Sequence, residues 1–171
     1  MSELELILSL LTYGRGELLE LLGAEFSSLS GALNLETSTA ADDPLWTDEA
    51  GADLELVFTN SKLGVRLARL PEVRLRPSED TPETLDEARQ RLKILSSALR
   101  KRSAALTAMG RYLAAKHASE MTNSAMPLPR ILSEAVSRHA SVEDRLIVRV
   151  TRNARCRAPR GDFDLRALFE S

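Results

Sequence analysis

Four side chains near residue 150 have the types and the spacing of a DNA-reading surface. Arg145, Val148, Arg149 and Arg152 recur at intervals of three and four residues, which places them on one face of a helix predicted over residues 142–153. Arginine makes paired hydrogen bonds with guanine O6 and N7, and a small apolar side chain packs against the thymine methyl group. We therefore predict that this face contacts base edges of double-stranded DNA.

Three more arginines follow this helix: Arg155, Arg157 and Arg160. We place them on the segment that leaves the helix and predict that they contact backbone phosphates, which position a domain on DNA. Each neutralised phosphate releases counterions, so binding should weaken steeply as salt rises. The alternative interpretation of the whole pattern is a solvated arginine face without a ligand.

The arginine-bearing helix needs a partner helix and a core to hold it. Residues 130–139 are predicted to form the partner, and Ser141 is predicted to be the N-cap of the helix over residues 142–153. Two short helices with a short connection indicate a helix-turn-helix. The residues predicted to be buried, on the face opposite the arginines, are Leu146, Ile147 and Val150.

A long helix is predicted over residues 83–118, with Thr84 and Glu87 as a capping box at its start. Apolar residues follow a three-four repeat along it, and Arg102 interrupts that apolar seam. We expect the seam to pack against other elements of the same chain, with a coiled-coil dimer as the alternative. Gly110 marks a point at which the helix could bend.

The amino-terminal part of the chain is predicted to be a mixture of short elements. Residues 2–33 indicate two short helices around a glycine-containing break, and residues 34–51 are typical of a loop. Alternation of apolar and polar residues predicts a β-hairpin with strands over residues 53–60 and 64–70. Residues 73–75 are predicted to extend this hairpin.

These elements predict a fold that is mainly α with a small β-hairpin. Residues 1–82 are expected to form a small helical region with the hairpin, and residues 83–118 the long connecting helix. Residues 126–171 are expected to form the helix-turn-helix-like DNA-binding region. A length of 171 residues suits one medium domain or two small ones that share a core.

The net charge of −2 conceals a strong asymmetry along the chain. Residues 1–50 contain ten acidic residues and one basic residue, whereas residues 87–161 contain sixteen basic and five acidic residues. Segregation of charge favours a polyanionic partner for the basic part.

Enzyme chemistry is not indicated by any motif. His117 and His139 have no acidic or cysteine neighbour at the spacing of a metal site, and the sequence has no phosphate-binding glycine loop or nucleophile motif.

Cys156 lies among arginines that could lower its pKa, but as a single cysteine it fits a reducing compartment. No apolar run approaches the ~20 residues that cross a bilayer. We expect a cytoplasmic protein that is not an enzyme and uses no cofactor, metal, membrane or small-molecule substrate.

Several short motifs carry a family resemblance. The chain reads Arg-Val-Thr at residues 149–151, Pro-Arg-Gly at residues 159–161, and then Phe163 and Leu165. This pattern resembles the segment that leaves the helix-turn-helix of sigma-54 transcription factors, which typically reads Arg-Val-Thr-x-x-Lys-Tyr-x-x-Thr-Pro-Arg-Gly-x-Phe-Glu-Leu. Residues 102–116 resemble part of the same family's long helix. The resemblance covers about residues 50–170.

The resemblance implies a fold and a function. It implies a helical domain like the one that binds the RNA polymerase core, joined by a long helix to a helix-turn-helix, in a bacterial protein that modulates initiation or elongation. Gene-transfer-agent regulators of alphaproteobacteria contain similar segments. We expect neither the family's glutamine-rich amino-terminal region nor its promoter-reading box.

The resemblance also leaves two alternatives open. Residues 142–147 replace the family's His-Glu-Ser-Thr-Val stretch in the second helix. This change favours a polymerase-binding adaptor or decoy that does not read DNA. The other alternative is a fragment of a full sigma-54 factor.

Overall fold

The computed structural model describes residues 2–18, 20–21, 34–38, 52–68, 72–76 and 86–169. Within these residues the fold is mainly helical with a small β component, which confirms the predicted fold class at this level. Thr84 of the predicted capping box lies outside the described residues. No helix in the described part of the chain is both long and apolar enough to cross a membrane.

Two short helices form the amino-terminal part, as predicted. α1 (Glu3–Leu10) starts at a capping box in which the Glu5 N–H donates to the Ser2 hydroxyl and the Ser2 N–H donates to the Glu5 carboxylate, both at 3.2 Å. A second helical segment, α2, covers residues 15–18 and 20–21. Ile7 and Leu11 bury their side chains in the main core, which anchors α1 to the rest of the molecule.

One small sheet contradicts two predictions. β1 (Asn34–Ser38) pairs antiparallel with β4 (Glu72–Arg76). The prediction of a loop over residues 34–51 is therefore wrong for residues 34–38, which form β1. Residues 73–75 pair with β1 instead of extending the β-hairpin predicted over residues 53–70. With one apolar residue in five, β1 has too little alternation to indicate a strand, and its pairing with distant β4 is what defines it.

A second sheet joins distant parts of the chain. β2 (Leu54–Thr59) and β3 (Lys62–Leu67) form the predicted hairpin, with a two-residue turn in which both residues have positive φ. β5 (Arg155–Ala158) and β6 (Gly161–Asp164) form another hairpin, which the sequence pattern does not indicate. The strand order is β3-β2-β5-β6, and β2 pairs with β5 in parallel.

The long helix, α3 (Asp86–Lys116), packs against α1, the four-stranded sheet and the helices that follow it. The described part of its apolar seam, from Leu95 onward, is buried within the chain, as expected. Its buried apolar side chains that belong to the predicted repeat are Leu95, Leu99, Leu106, Met109 and Leu113.

Gly110 lies where α3 approaches the sheet most closely. A methyl group at this position would come within 2.5 Å of Val65 Cγ1 and 2.9 Å of Leu54 Cδ1. The glycine therefore permits close packing of α3 on β2 and β3. The close contact with the sheet, and not a bend in α3, therefore explains why residue 110 is glycine.

A buried ion pair explains why Arg102 interrupts the apolar seam. Arg102 Nη2 donates to Asp53 Oδ1 at 2.7 Å, and the Arg155 N–H donates to Asp53 Oδ2 at 2.9 Å. Only 3% of Arg102 and 5% of Asp53 is exposed, so each charge needs the other. Burial lowers the pKa of Arg102 and the charge of Asp53 opposes this shift. The pair ties α3 to the ends of both hairpins.

Three shorter helices and two 3-10 turns complete the described chain. The helices are α4 (Ala118–Thr122), α5 (Ser133–Ala140) and α6 (Asp144–Val150), and the 3-10 turns are Thr151–Asn153 and Leu165–Leu168. Their buried side chains belong to the same core as those of α1, β2 and α3. Residues from the predicted first and last regions, 1–82 and 126–171, thus share one sheet and one core.

Candidate nucleic-acid interface

α5 and α6 are joined by a three-residue connection, residues 141–143. Ser141 ends α5 in the left-handed conformation, with φ 55° and ψ 42°, and its N–H donates to the Ser137 carbonyl. The Ser137 hydroxyl donates to the Val142 carbonyl at 2.5 Å, which closes the turn. The prediction that Ser141 caps the second helix is wrong, since the residue preceding α6 is Glu143. Such turns often contain glycine, and here a serine adopts the conformation that glycine favours.

The second helix is shorter than predicted. α6 covers seven residues, and a 3-10 turn replaces the last part of the predicted helix over residues 142–153. The first helix begins three residues later than the predicted start at residue 130. The predicted buried face is confirmed, because Leu146, Ile147 and Val150 are all buried in the main core.

The predicted DNA-reading residues lie on the opposite face of α6 and, in the case of Arg152, on the 3-10 turn that follows it. Arg145 and Arg152 are exposed, and Val148 and Arg149 are half-buried. Arg145 Nε donates to Glu143 Oε2 at 2.6 Å, so this guanidinium already has a carboxylate partner. Among the residues that the structure describes, neither Arg149 nor Arg152 has an ion pair or a side-chain hydrogen bond. These two cations are therefore available to an outside ligand.

The later arginines lie on the β5–β6 hairpin instead of the predicted exit segment. Arg155 Nε lies 3.5 Å from Asp164 Oδ1, and Arg157 Nε donates to Asp162 Oδ1 at 3.2 Å. The hydrogen bond with Asp162 raises the pKa of Arg157. These cross-strand pairs occupy both guanidinium groups within the hairpin.

Arg160 occupies the hairpin turn and contacts α4. Its Nη1 donates to the Glu120 carbonyl at 3.0 Å, and its backbone N–H donates to the Met121 carbonyl at 3.0 Å. Gly161, which follows, has a φ of 126°, a conformation that favours glycine. The Pro-Arg-Gly triplet thus forms a turn that is fixed to the end of α4.

Cys156 is buried between the two paired arginines of β5. Burial raises the pKa of its thiol to about 12, and Asp162 and Glu55 add to the shift. The suggestion that neighbouring arginines lower this pKa is wrong. Successive side chains of a strand point to opposite faces, so Arg155 and Arg157 face away from the thiol.

A cleft lies beside the arginine face of α6. Its volume is about 220 Å³, and its lining residues are Ser133, Val148, Thr151, Arg152, Arg166 and Phe169. Val148 and Arg152 belong both to this cleft and to the predicted DNA-reading face. Spacing along the chain gives no signal for the cleft, because Ser133 and Arg166 come from separate elements that only the fold brings together.

A larger groove separates the β2–β3 hairpin from the carboxyl-terminal half of α3. Its volume is about 720 Å³, and its lining includes Phe58, Leu63, Val65 and the cations Lys62 and Arg111. The Phe58 side chain is 53% exposed at this groove. An exposed aromatic ring beside a concave apolar surface is typical of a protein-docking site.

The histidines contribute packing contacts. His117 and His139 both lie against Tyr112, with ring centroids 5.7 Å and 5.6 Å apart. Among the described residues, no cluster of three or more side chains has the composition of a metal site.

No protein-family model matches this chain, and no curated protein matches its sequence. A functional assignment therefore depends on the residues and the geometry described above.

Proposed function

We propose that this protein is a sigma-54-like transcription regulator that binds double-stranded DNA through α5 and α6 and contacts the RNA polymerase core. The observation that carries the proposal is the availability of Arg149, which is half-buried on α6, and of Arg152, which is exposed on the 3-10 turn that follows. A short helix-turn-helix with this charge suits insertion into the major groove.

The proposed readout assigns different tasks to the residues of α6. Arg149 donates two hydrogen bonds to a guanine, and Val148 packs against a neighbouring thymine methyl group. Arg145 lies at the start of α6, where it forms an ion pair with Glu143 of the turn. An exposed ion pair of this kind contributes ~1 kcal/mol or less. Arg145 can therefore leave Glu143 and bind a DNA acceptor with little loss of free energy.

The hairpin arginines receive a smaller role in this proposal. Arg155 and Arg157 must each give up a carboxylate partner before binding a phosphate, and Arg160 must leave a backbone carbonyl. Phosphate contacts from the hairpin are therefore expected to add little to affinity.

The groove at Phe58 supports the polymerase contact. It lies at the far end of the four-stranded sheet from β6, so a partner protein could occupy it while α6 binds DNA. Lys62 and Arg111 favour an acidic protein surface as the partner.

One observation favours the adaptor or decoy as a second candidate function. Four of the six arginines predicted to contact DNA, namely Arg145, Arg155, Arg157 and Arg160, have acceptors within the chain. With only two of these six arginines available, the protein could occupy polymerase without reading DNA.

Two measurements on the purified chain separate these candidates. The first asks whether it co-elutes with core RNA polymerase that lacks any sigma factor, on a sizing column at physiological salt. The second selects bound sequences from a random duplex library. Co-elution together with an enriched sequence supports the regulator, and co-elution without enrichment supports the adaptor. A chain that does neither has no sigma-like function.

A further inference from the structure

The strand β3 lies at one side of the four-stranded sheet, and among the described residues no strand pairs with its outer edge. Ala68, which follows β3, donates its N–H to the Asp53 carbonyl at 3.0 Å, so these two residues form a hydrogen-bonded pair. Such pairs alternate with non-hydrogen-bonded pairs along an antiparallel ladder. The backbone N–H and C=O groups of Leu63, Val65 and Leu67 therefore point away from β2.

The strand at the other side of the sheet, β6, is a poor template for a further strand. It has four residues, and its two acidic side chains, Asp162 and Asp164, form ion pairs with β5. β3 has six residues, and its side chains on the face toward α3 are apolar. Short and charged outer strands discourage pairing, whereas longer apolar ones permit it. Of these two strands, β3 is therefore the one that can accept another strand.

The groove at Phe58 has room for a strand beside β3. Its wall on α3 includes Thr107, Arg111, Ala114 and Ala115, which recur at helical spacing and so share one face of the helix. The two alanines have short side chains, which keep the groove open to a volume of about 720 Å³. Because alternate side chains of a strand share one face, every second side chain of an added strand would enter this groove.

The cations beside this edge favour an acidic occupant. Lys62 and Arg111 line the groove, and neither has an ion pair or a side-chain hydrogen bond with the residues that the structure describes. No acidic side chain is present among the described residues of the lining. A second copy of β3 would bring another Lys62 and Arg66 to the edge, and like charges on paired strands are destabilising. An acidic partner therefore fits this edge better than a second copy of the chain.

We propose that the polymerase segment in this groove is an extended acidic peptide, which pairs with the outer edge of β3 and extends the four-stranded sheet. The inference rests on the polymerase contact proposed above and adds the way in which that contact is made. The outward backbone groups of β3 supply affinity, and the groove accepts alternate apolar side chains of the peptide. Lys62 and Arg111 pair with its acidic residues.

Hydrogen exchange tests the strand pairing directly. Mass spectrometry follows residues 62–68 in the wild-type chain, alone and bound to core RNA polymerase that lacks any sigma factor. The amides of Leu63, Val65 and Leu67 should exchange rapidly in the free chain and lose this rapid exchange in the complex. Unchanged exchange in β3 within a complex that forms would overturn the strand pairing and leave the polymerase contact standing. A wild-type chain that does not bind polymerase would instead overturn the polymerase contact and this inference together.

Leu63→Pro and Leu63→Ala separate the backbone contact from the side-chain contact. Both substitutions remove the leucine side chain, but only proline removes the outward N–H, and the hydrogen bonds to β2 are retained. Dissociation constants come from fluorescence anisotropy of the dye-labelled chain titrated with core polymerase. The proline variant should bind about tenfold more weakly than the alanine variant.

Equal dissociation constants of the two folded variants would overturn the backbone contact at residue 63. Thermal unfolding by circular dichroism checks that both variants are folded. If the proline variant is unfolded, hydrogen exchange of the wild-type chain decides the question by itself.

Arg111→Glu tests the acidic character of the peptide. Reversal of this charge should weaken polymerase binding about tenfold or more, because it places a carboxylate beside an acidic segment. Arg100→Glu is the charge-matched control, since Arg100 is exposed on α3 and does not line the groove. Equal effects of the two reversals would overturn an acidic peptide as the occupant. A chain that elutes as a dimer without polymerase, with the amides of β3 protected, would assign the edge to a second copy and overturn the inference.

Discussion

Arg149 of α6 and Arg152 of the 3-10 turn that follows it are neighbours in the sequence of the arginines of the β5–β6 hairpin, but the two groups differ in what they contact. Arg149 and Arg152 have no ion pair with any described residue, and Arg152 lines an open cleft. Arg155 and Arg157 face carboxylates across the hairpin. A dense run of arginines thus divides into a part that is available to a ligand and a part that stabilises the fold. Local sequence alone gives no basis for this division, because the acceptors lie five and nine residues further along.

The largest expected effect concerns Arg102, the most completely buried arginine among the residues whose side chains the structure describes. Asp53→Ala should lower the free energy of unfolding by about 3–5 kcal/mol, because Arg102 would keep a buried charge without its partner. Urea unfolding followed by circular dichroism measures the change. Glu55→Ala is the control, since its pair with Arg66 is partly exposed and should contribute ~1 kcal/mol or less. Equal effects of the two substitutions would show that the Arg102 pair is no more important than a surface pair.

The second effect concerns Cys156, which separates the two paired arginines of β5. A thiol pKa raised from 9.0 to about 12 implies a thiolate population about a thousandfold lower than in the unfolded chain. Iodoacetamide should therefore label the native protein far more slowly than the urea-unfolded protein at the same pH. Because the folded-state pKa is the higher one, this group stabilises the fold below about pH 9 and loses that contribution as pH rises toward 12. Rapid labelling of the native protein near neutral pH would show that the arginines, and not burial, control the thiol.

The third effect concerns the available arginines. Arg149→Ala should weaken binding to the selected duplex by ~1–3 kcal/mol and relax the sequence preference at one base pair. Fluorescence anisotropy with a panel of single-base duplex variants measures both changes, with Arg100→Ala as the control for lost charge. Unchanged binding would remove Arg149 from the DNA-reading face.

The smallest effect is expected in the hairpin. Arg157→Gln removes a cation that Asp162 already occupies, so the slope of log K against log salt should stay at the wild-type value. The free energy of unfolding should change by less than ~1 kcal/mol, as for other surface pairs. A reduction of the slope by ~0.9 would instead show that the hairpin contacts DNA phosphates, and the distinction between the two arginine groups would fail.

The sequence predicts elements whose apolar spacing is regular. The seam of α3, the β2–β3 hairpin and the buried face of α6 all follow from periodicity, because each buries one face against neighbours. The β5–β6 hairpin does not, since Arg-Cys-Arg-Ala alternates charge with small residues and its partner, β2, lies about a hundred residues earlier. The cleft is equally hidden, because Ser133, Arg152 and Arg166 meet only after three elements pack. The start of α1, by contrast, has a simple signal in the sequence, the capping box formed by Ser2 and Glu5.

The parallel pairing of β2 with β5 also sets an order of events during synthesis. Asp53 and Arg155 are 102 residues apart, so β2 emerges from the ribosome long before the strand that completes its second edge. At about 5–20 residues per second, the wait lasts roughly 5–20 s. During that interval the side of β2 that will receive β5 has unpaired backbone groups, which is the condition for wrong strand pairing. The nascent chain should therefore depend most on chaperones before β5 is made, and an arrested chain that ends before β5 should aggregate more readily than the finished protein.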